Sequence, residues 1–305
     1  MYAYSDYLQK TFGSKTYKVI VASRTTCPTR DGSLGKGGCS FCDLRGSGSF
    51  FGTQGRSASV TDQINQRLPA IADRFDARTF LAYFQSYTNT YGDEEALLKL
   101  YHEALAHPQI TGLCIGTRPD CLPDSFIDRL EILARSYYIS LELGVQSLDD
   151  NALLFLTRGH SAECSLDAID RLKERAPSVH ICVHLMLGIP SEAPQTHTQT
   201  AKILSTKKIH GVKLHQLMVL SGTALAEKYQ QEPFETLSLE SYSKLIAEFL
   251  SHLAPTIYIE RLYATASHKA ECIAPTWSKE RWRVHNTIRD YLEKNMIKQG
   301  AENSF

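Results

Sequence analysis

Six short apolar runs, each followed by a segment with helical periodicity, organise the first 220 residues of the chain. Strands that alternate with helices form parallel sheets through βαβ connections, and near-continuous apolar strands are typical of a sheet covered on both faces. Six βα units are three quarters of an eightfold barrel, which takes about 250 residues. The pattern predicts an α/β fold and fits both a partial barrel and a doubly wound sheet. The predicted strands are 17–23, 78–85, 110–117, 137–144, 179–190 and 211–220.

The regular alternation of strands and helices ends near residue 233. The remaining sequence indicates a loop and a helix, one strand over 256–264, and a basic and aromatic segment before a last helix. A chain of 305 residues is long enough for one large domain and a small appendix. We therefore predict a core over 1–235 and a C-terminal extension over 236–305.

Composition excludes several classes of protein. A hydrophobic content of 43% and a charged content of 22% exclude collagen-like, disordered and coiled-coil chains. No stretch reaches the ~18 apolar residues that span a bilayer, and the first segment lacks the apolar run of a secretory signal. The 33 basic and 33 acidic residues balance, without the basic excess usual in nucleic-acid binders. We expect a cytoplasmic protein with no membrane partner.

Three of the eight cysteines lie in one glycine-rich loop after the first predicted strand. Cys27, Cys39 and Cys42 have the spacing C-x11-C-x2-C, and cysteines in a chain without a secretion signal favour metal binding or catalysis. Three thiolates can hold three irons of a cubane cluster and leave the fourth iron open. The alternatives are three unrelated buried thiols and a structural zinc site, which needs a fourth ligand such as Cys114 or Cys121.

The cysteine loop and four further segments resemble the radical S-adenosylmethionine (SAM) superfamily. The long first gap between cysteines, with its RDG and GGC sequences, is the pattern of the YhcC/YtqA-like (MnmL-like) branch, which is related to the catalytic subunit of Elongator. The resemblance covers nearly the whole chain and implies a partial (β/α)6 TIM-like barrel with the cluster loop at 27–42. The further segments are FQSYTNTY (84–91), GTRPD (116–120), LELGVQS (141–147) and HLMLGIP (184–190).

The resemblance implies that Cys27, Cys39 and Cys42 ligate a [4Fe-4S] cluster whose open iron chelates SAM. Reductive cleavage of SAM would then give a 5′-deoxyadenosyl radical that abstracts hydrogen from substrate, with an electron donor such as flavodoxin or ferredoxin. The implied substrate is the wobble uridine of tRNA, whose carboxymethylaminomethyl group would be remodelled to aminomethyl. A radical SAM enzyme acting on a small metabolite and a zinc-stabilised nucleic-acid-binding module are the alternatives.

The resemblance also assigns polar residues at strand ends to SAM, since α/β proteins bind ligands there. An ordinary polar loop after the second strand, and a plain pair between Arg118 and Asp120, remain as alternatives. Glu142 interrupts an apolar strand, and a buried carboxylate requires a polar site or a cation. No catalytic residue is assigned beyond the cluster ligands. The implied cofactor-binding residues are Gln85, Ser86, Thr88, Asn89, Arg118, Glu142, Gln146 and Gly188.

Two further groups of residues have more than one interpretation. His184 and His215 alternate with apolar residues in strands, and such histidines are more often hydrogen-bonded interior residues than ligands. Near the C-terminus, Trp277 and Trp282 alternate with basic residues over 277–283. Alternation of this kind serves single-stranded RNA through stacking and phosphate contacts, or it forms a solvated helix face.

Overall fold

Seven strands form one parallel sheet in which each strand lies beside its successor in the chain. The computed structural model describes residues 1–23, 25–43 and 58–302. A doubly wound sheet reverses its strand order at a switch point, whereas here the order runs unbroken from first to last. The partial-barrel prediction is therefore confirmed. The strands are β1 (Thr16–Val21), β2 (Thr79–Phe84), β3 (Ile110–Thr117), β4 (Tyr138–Gln146), β5 (His180–Leu187), β6 (Gly211–Gln216) and, after the short β7 (Val219–Leu220), β8 (Tyr258–Arg261).

The strand predictions differ from the structure at the last part of the sheet. The run 211–220 is two strands, because β6 ends at Gln216 and β7 turns away to pair antiparallel with β9 (Cys272–Ala274). The strand expected in the C-terminal extension is β8, which pairs with β6 and is the seventh strand of the main sheet. The boundary proposed at residue 235 falls between two helices, and the segment 236–305 contributes β8 to the sheet.

Helices connect the strands and cover the outside of the sheet. Ser59, Asp93, Ser161 and Ser238 each cap a helix by accepting a backbone N–H with the side chain, as N-cap residues do. The helices are α1 (Tyr4–Phe12), α2 (Pro28–Asp31), α3 (Val60–Phe75), α4 (Glu94–Leu105), α5 (Asp124–Ala134), α6 (Asp150–Phe155), α7 (Ala162–Arg175), α8 (Thr196–Thr206), α9 (Ala224–Gln231), α10 (Leu239–His252) and α11 (Arg281–Lys294).

The two faces of the sheet differ in chemistry. Outward side chains of the strands, such as Phe80 and Leu141, join helix residues such as Phe126 in one large apolar core. The inward face carries charged side chains, among them Glu142 and Lys213. We expected a sheet covered on both faces, but helices cover only the outer face of the curled sheet. Its inner face surrounds a polar interior.

Helix α1 lies at the gap between the first and last strands of the sheet. The rings of Tyr4 and Tyr7 pack against Tyr258 of β8, with centroid distances of 4.8 and 4.5 Å. The Tyr7 hydroxyl is 2.9 Å from Nδ1 of His180 in β5. These contacts fill the amino-terminal end of the barrel. In the part of the chain that the structure describes, no helix combines the length and apolar composition needed to cross a bilayer.

Candidate functional site

A cavity of about 320 Å³ lies at the carboxyl ends of the strands. Its walls come from the cysteine loop, from the ends of β2 to β6 and from the segment 264–268. Parallel strands place their carboxyl ends at one edge, where barrel enzymes build active sites. The cavity thus brings together residues that are far apart in sequence. Eight of the eleven predicted site residues line it: Cys27, Cys39, Cys42, Gln85, Thr88, Arg118, Glu142 and Gln146.

The cysteine loop is held by its own backbone and by the neighbouring turn. Cys27 precedes the single turn of α2, and the amide of Cys42 donates to the Cys39 carbonyl at 3.0 Å. Gly38 has a φ of +92°, and a Cβ there would come 2.8 Å from Nε of Arg30. A glycine is therefore required at this position, both for backbone conformation and for space.

The environment of the thiols favours ionised sulfur at Cys39. Nη1 of Arg158 donates to the Cys39 sulfur at 3.3 Å, and Nη1 of Arg118 lies 3.7 Å from it. Burial opposes ionisation, but the two guanidinium groups outweigh it and lower the pKa of Cys39. Burial raises the pKa of Cys27, against a hydrogen bond of 3.0 Å from the Thr88 hydroxyl. Thiolates rather than thiols are metal ligands. By favouring the thiolate of Cys39, the two arginines therefore favour metal binding at this wall of the cavity.

The donor set fits the cluster that the resemblance implies. All three cysteines line the same cavity, and soft thiolate donors are the ligands of iron–sulfur clusters. Among the described residues, no three His, Cys, Asp or Glu side chains already share the geometry of a bound metal ion. The zinc alternative needs a fourth ligand, but neither Cys114 nor Cys121 is part of the cavity wall.

Glu142 lies at the centre of a charged network in the barrel interior. Its Oε1 accepts from Nζ of Lys18 at 2.5 Å, and its Oε2 accepts from Nζ of Lys213 at 2.8 Å. The Tyr83 hydroxyl donates to Oε2 at 2.6 Å, and Nε2 of His184 lies 2.6 Å from the same atom. Burial opposes ionisation, but Lys18 and Lys213 hold the pKa of Glu142 well below its usual value. Because a carboxylate has about four acceptor positions, a contact with SAM would compete with these bonds.

A second carboxylate completes the network from the far edge of the sheet. Glu260 of β8 lies 2.7 Å from Nζ of Lys18 and 2.7 Å from Nζ of Lys213. Each lysine therefore contacts both glutamates, and the four charges cancel. Burial, together with the charge of Lys213, lowers the pKa of His184, so that its imidazole is neutral. The interior tolerates these ions because each one is paired.

Gln146 has two features typical of a ligand contact. It ends β4 in the left-handed conformation, with a φ of 70°, which is uncommon for a residue with a side chain. Its Oε1 is buried and accepts no hydrogen bond from the described residues. A buried acceptor without a partner is costly. This geometry makes Gln146 available to a bound molecule.

Three of the predicted residues lie outside the cavity wall. Asn89 is buried, and its Nδ2 donates to the carbonyls of Phe84 and Gly116, both at 2.9 Å, so its side chain ties β2 to β3. Ser86 is buried beside it, with a hydroxyl that has no partner among the described residues. Gly188 has a φ of +83° and faces Leu237.

The remaining predicted features separate into paired and exposed groups. Arg118 forms the ion pair with Asp120 that was considered as the alternative to SAM binding, with Nη2 at 2.8 Å from Oδ2. It also contacts the sulfur of Cys39. Trp277 is buried and donates to the Leu237 carbonyl at 2.8 Å, so the RNA-stacking expectation does not apply to it. Trp282 is 72% exposed, with Arg281 over its ring.

Sequence reasoning missed several residues that shape the cavity. Arg158 reaches Cys39 from the loop after α6, and no pattern in the sequence marks it. Lys18 and Lys213 had a signal, since each is a charged residue within a strand predicted from its apolar residues, and the same is true of Glu142. Arg261 also lines the cavity, although its strand was assigned to the C-terminal extension.

Comparisons with known proteins agree with this geometry. The model of the radical SAM superfamily matches residues 34–204, and the model of the Radical_SAM C-terminal domain matches residues 209–294. The uncharacterised protein YtqA of Bacillus subtilis (strain 168) is 32% identical over 295 residues, which are 96% of this chain and 90% of YtqA. A tRNA uridine(34) acetyltransferase of Dehalococcoides mccartyi (strain CBDB1) is 30% identical over 172 residues, covering 55% of this chain and 36% of that protein.

A solved structure shows the same fold. Elp3 of the archaeon Methanocaldococcus infernus, with an N-terminal deletion, superposes with a TM-score of 0.67 at 17% sequence identity. The match covers 93% of this chain and 64% of the Elp3 chain. The superfamily model covers more than half of the chain, and the similarity to YtqA extends over almost all of it. The chain therefore belongs to the radical SAM superfamily, as an enzyme of the YtqA-like branch related to Elp3.

Proposed function

We propose that this enzyme modifies the wobble uridine of tRNA, converting a carboxymethylaminomethyl group to aminomethyl, with SAM as the two-electron oxidant, water cleaving the N–C bond and the two carbons leaving as glyoxylate. The observation that carries the proposal is a single cavity with three cysteines at its rim and a charged floor. The support for tRNA is the similarity to the tRNA uridine(34) acetyltransferase over 55% of the chain. The exposed Trp282 beside Arg281 also suits RNA, whose bases stack on aromatic rings.

The residues of the rim would hold the cofactors. Cys27, Cys39 and Cys42 would ligate the [4Fe-4S] cluster, and Arg158 keeps the central thiol in the form that binds metal. The unpaired oxygen of Gln146 and the nearby Gln85 would orient SAM. When bound, the cluster and SAM supply a 5′-deoxyadenosyl radical, and the protein contributes position and exclusion of water.

The residues of the floor would receive the substrate. Lys213 and Glu142 line the cavity, and Lys18 holds Glu142 from behind, so these groups do not need to reorganise when a ligand enters. The side chains of Met186 and Met218, which also line the cavity, exclude water above this network. We further propose a reductant such as flavodoxin or ferredoxin, and a cytoplasmic location remains a prediction from the sequence.

The first test measures cofactor chemistry under anaerobic conditions. The protein is reconstituted with iron and sulfide, reduced with dithionite and incubated with SAM, and 5′-deoxyadenosine is assayed. We expect product from the wild type and none from Cys39→Ala. Cys121→Ala is the matched control, because this buried cysteine lies outside the cavity wall, and it should retain activity. Zinc in place of iron, with no deoxyadenosine, would support the zinc-stabilised module instead.

The second test identifies the substrate class. Nucleosides of tRNA from a strain that lacks the gene should contain carboxymethylaminomethyluridine in place of the aminomethyl form. The purified enzyme should then convert that tRNA, with SAM consumed in step. Unchanged tRNA from a protein that cleaves SAM would reject the tRNA assignment and favour a small metabolite.

A further inference from the structure

Arg261 differs from the buried lysines and glutamates beside the cavity, which are paired with one another. Lys18 and Lys213 each contact both Glu142 and Glu260, so these four charges sum to zero. Arg261 also lines the cavity and is half-buried. Its Nε donates to the Leu214 carbonyl at 3.2 Å. Among the residues that the structure describes, no carboxylate lies within ion-pair distance of its guanidinium group.

An irregularity in strand pairing places Arg261 in the cavity. Val212 of β6 pairs with Ile259 of β8, but the next residue, Lys213, pairs with Arg261. Glu260 is therefore an extra residue in β8, as in a β-bulge, a feature that redirects side chains near active sites. Two consecutive residues therefore both contribute side chains to the barrel interior. Glu260 binds the lysines, and Arg261 lines the cavity wall.

His215 is a neutral neighbour of Arg261. Its Nδ1 lies 3.3 Å from the Gln216 carbonyl, which can only accept a hydrogen bond, so Nδ1 carries the proton and Nε2 is an acceptor. Burial, together with the positive charge of Arg261, lowers the pKa of His215 well below its usual value. The cavity therefore presents a fixed cation beside a neutral acceptor.

We propose that Arg261 is the binding site for an oxyanion of the substrate, with a carboxylate on the modified base as the favoured source. A guanidinium group binds a carboxylate through two parallel hydrogen bonds, and an unpaired cation in a cavity is costly until an anion enters. A phosphate of the RNA backbone is the second source of the same chemistry. This assignment rests on the proposed function, because the carboxymethylaminomethyl group carries the carboxylate.

The test compares two anticodon stem-loop RNAs that differ only at the wobble uridine. One carries carboxymethylaminomethyluridine and the other carries aminomethyluridine, and both are titrated into the cluster-loaded protein with SAM. We expect wild type to prefer the carboxylate-bearing RNA by about tenfold or more, since hydrogen bonds between a guanidinium group and a carboxylate are stronger than those between neutral groups. Arg261→Gln should lose the preference, and Arg261→Lys should retain part of it.

Controls separate folding, cofactor binding and surface charge from recognition. Arg135→Gln removes an exposed arginine, 71% of whose side chain is accessible, and should keep the preference. Thermal unfolding and the affinity for SAM are measured for every variant. An Arg261→Gln protein that is folded but binds SAM less tightly would overturn the proposal, because the anion would then belong to SAM.

The remaining outcomes each decide the assignment. Equal weakening of both RNAs by Arg261→Gln would support the oxyanion site and identify a backbone phosphate as its source. A preference that Arg261→Gln retains would overturn it, and so would a wild type that shows no preference and is unaffected by Arg261→Gln. If neither RNA binds, the proposed tRNA function fails, and thermal shift with N-methylglycine and with inorganic phosphate tests the site by itself. Stabilisation of wild type but not of Arg261→Gln would then support the site, and equal responses would reject it.

Discussion

Lys213 shows how much the buried network depends on each single charge. It contacts both Glu142 and Glu260, and only 10% of its side chain is exposed. Lys213→Met leaves two buried carboxylates with Lys18 as their one cation. Breaking a buried pair in this way costs about 3–5 kcal/mol, so we expect a loss of that size in the free energy of unfolding. Urea unfolding followed by tryptophan fluorescence measures it.

A double variant distinguishes charge pairing from simple loss of packing. Glu260→Gln combined with Lys213→Met restores the balance between the remaining lysine and Glu142. We expect the pair to cost less than the sum of the two single variants, because residues in one network are not additive. Strictly additive losses would show that the two side chains act independently.

Glu192 predicts a specific dependence of stability on pH. It accepts from the Ser147 hydroxyl at 2.6 Å, and its Oε2 lies 3.3 Å from Nε2 of His197. Burial raises the pKa of Glu192 to about 8 and lowers that of His197 to about 4, so near pH 7 this contact joins two largely neutral groups. An unfolded glutamate ionises near pH ~4.3. Glu192 therefore holds an extra proton in the folded state between pH ~4.3 and 8, whereas His197 lacks one below its unfolded pKa of ~6.5. The two effects offset each other at lower pH, so stability falls as pH rises from ~6.5 to 8.

Glu192→Gln removes this proton linkage and should stabilise the protein most at high pH. A gain of ~1 kcal/mol corresponds to a rise of about 2–4 °C in Tm. Melting curves at pH 6 and pH 8 measure the difference between variant and wild type, which should widen at pH 8. Glu248→Gln, at an exposed position, should show no such trend. A constant difference at both pH values would contradict the assignment.

At the scale of elements, α1 joins the two open edges of the curled sheet. Tyr4 packs on Tyr258 of β8, and Nζ of Lys18 in β1 lies 4.8 Å from the centre of its ring. We expect Tyr4→Ala to loosen β1 and β8, because both edges lose the same contact. Hydrogen exchange should rise in these two strands and remain unchanged in β3 and β4. Tyr137→Ala, an exposed residue before β4, is the matched control, and equal exchange throughout the sheet would contradict this role.

Sequence patterns predicted the individual elements well where local signals decide them. The strand 110–117 matches the bounds of β3, and the alternation of strands and helices was sufficient for the fold class. The break between β6 and β7 was missed, because Leu217 and Met218, which form it, are apolar and continue into Val219 and Leu220. The partner of β8 was also missed, since pairing with β6 depends on contacts that no local pattern encodes.

The site residues also divide into those that local sequence patterns mark and those that only the tertiary fold places. The cysteines and the strand-end residues could be predicted, because their spacing and polarity stand out in the sequence. Arg158 approaches Cys39 across 119 positions, and Arg261 reaches the cavity through an irregular pairing. Both depend on the tertiary fold. A balanced total charge concealed the contrast between a charged interior and an apolar outer layer.

For the molecule as a whole, the closed end of the barrel has a kinetic consequence. Aromatic side chains of α1 and β8 fill one end, so in the described chain the cavity opens on the side where the cysteines lie. Cofactor and substrate would then enter from that side, and a macromolecule seated there would block it. If the proposed function holds, we expect compulsory order: SAM enters first, and methionine and deoxyadenosine leave only after the RNA has departed. Each encounter with RNA would therefore permit one turnover.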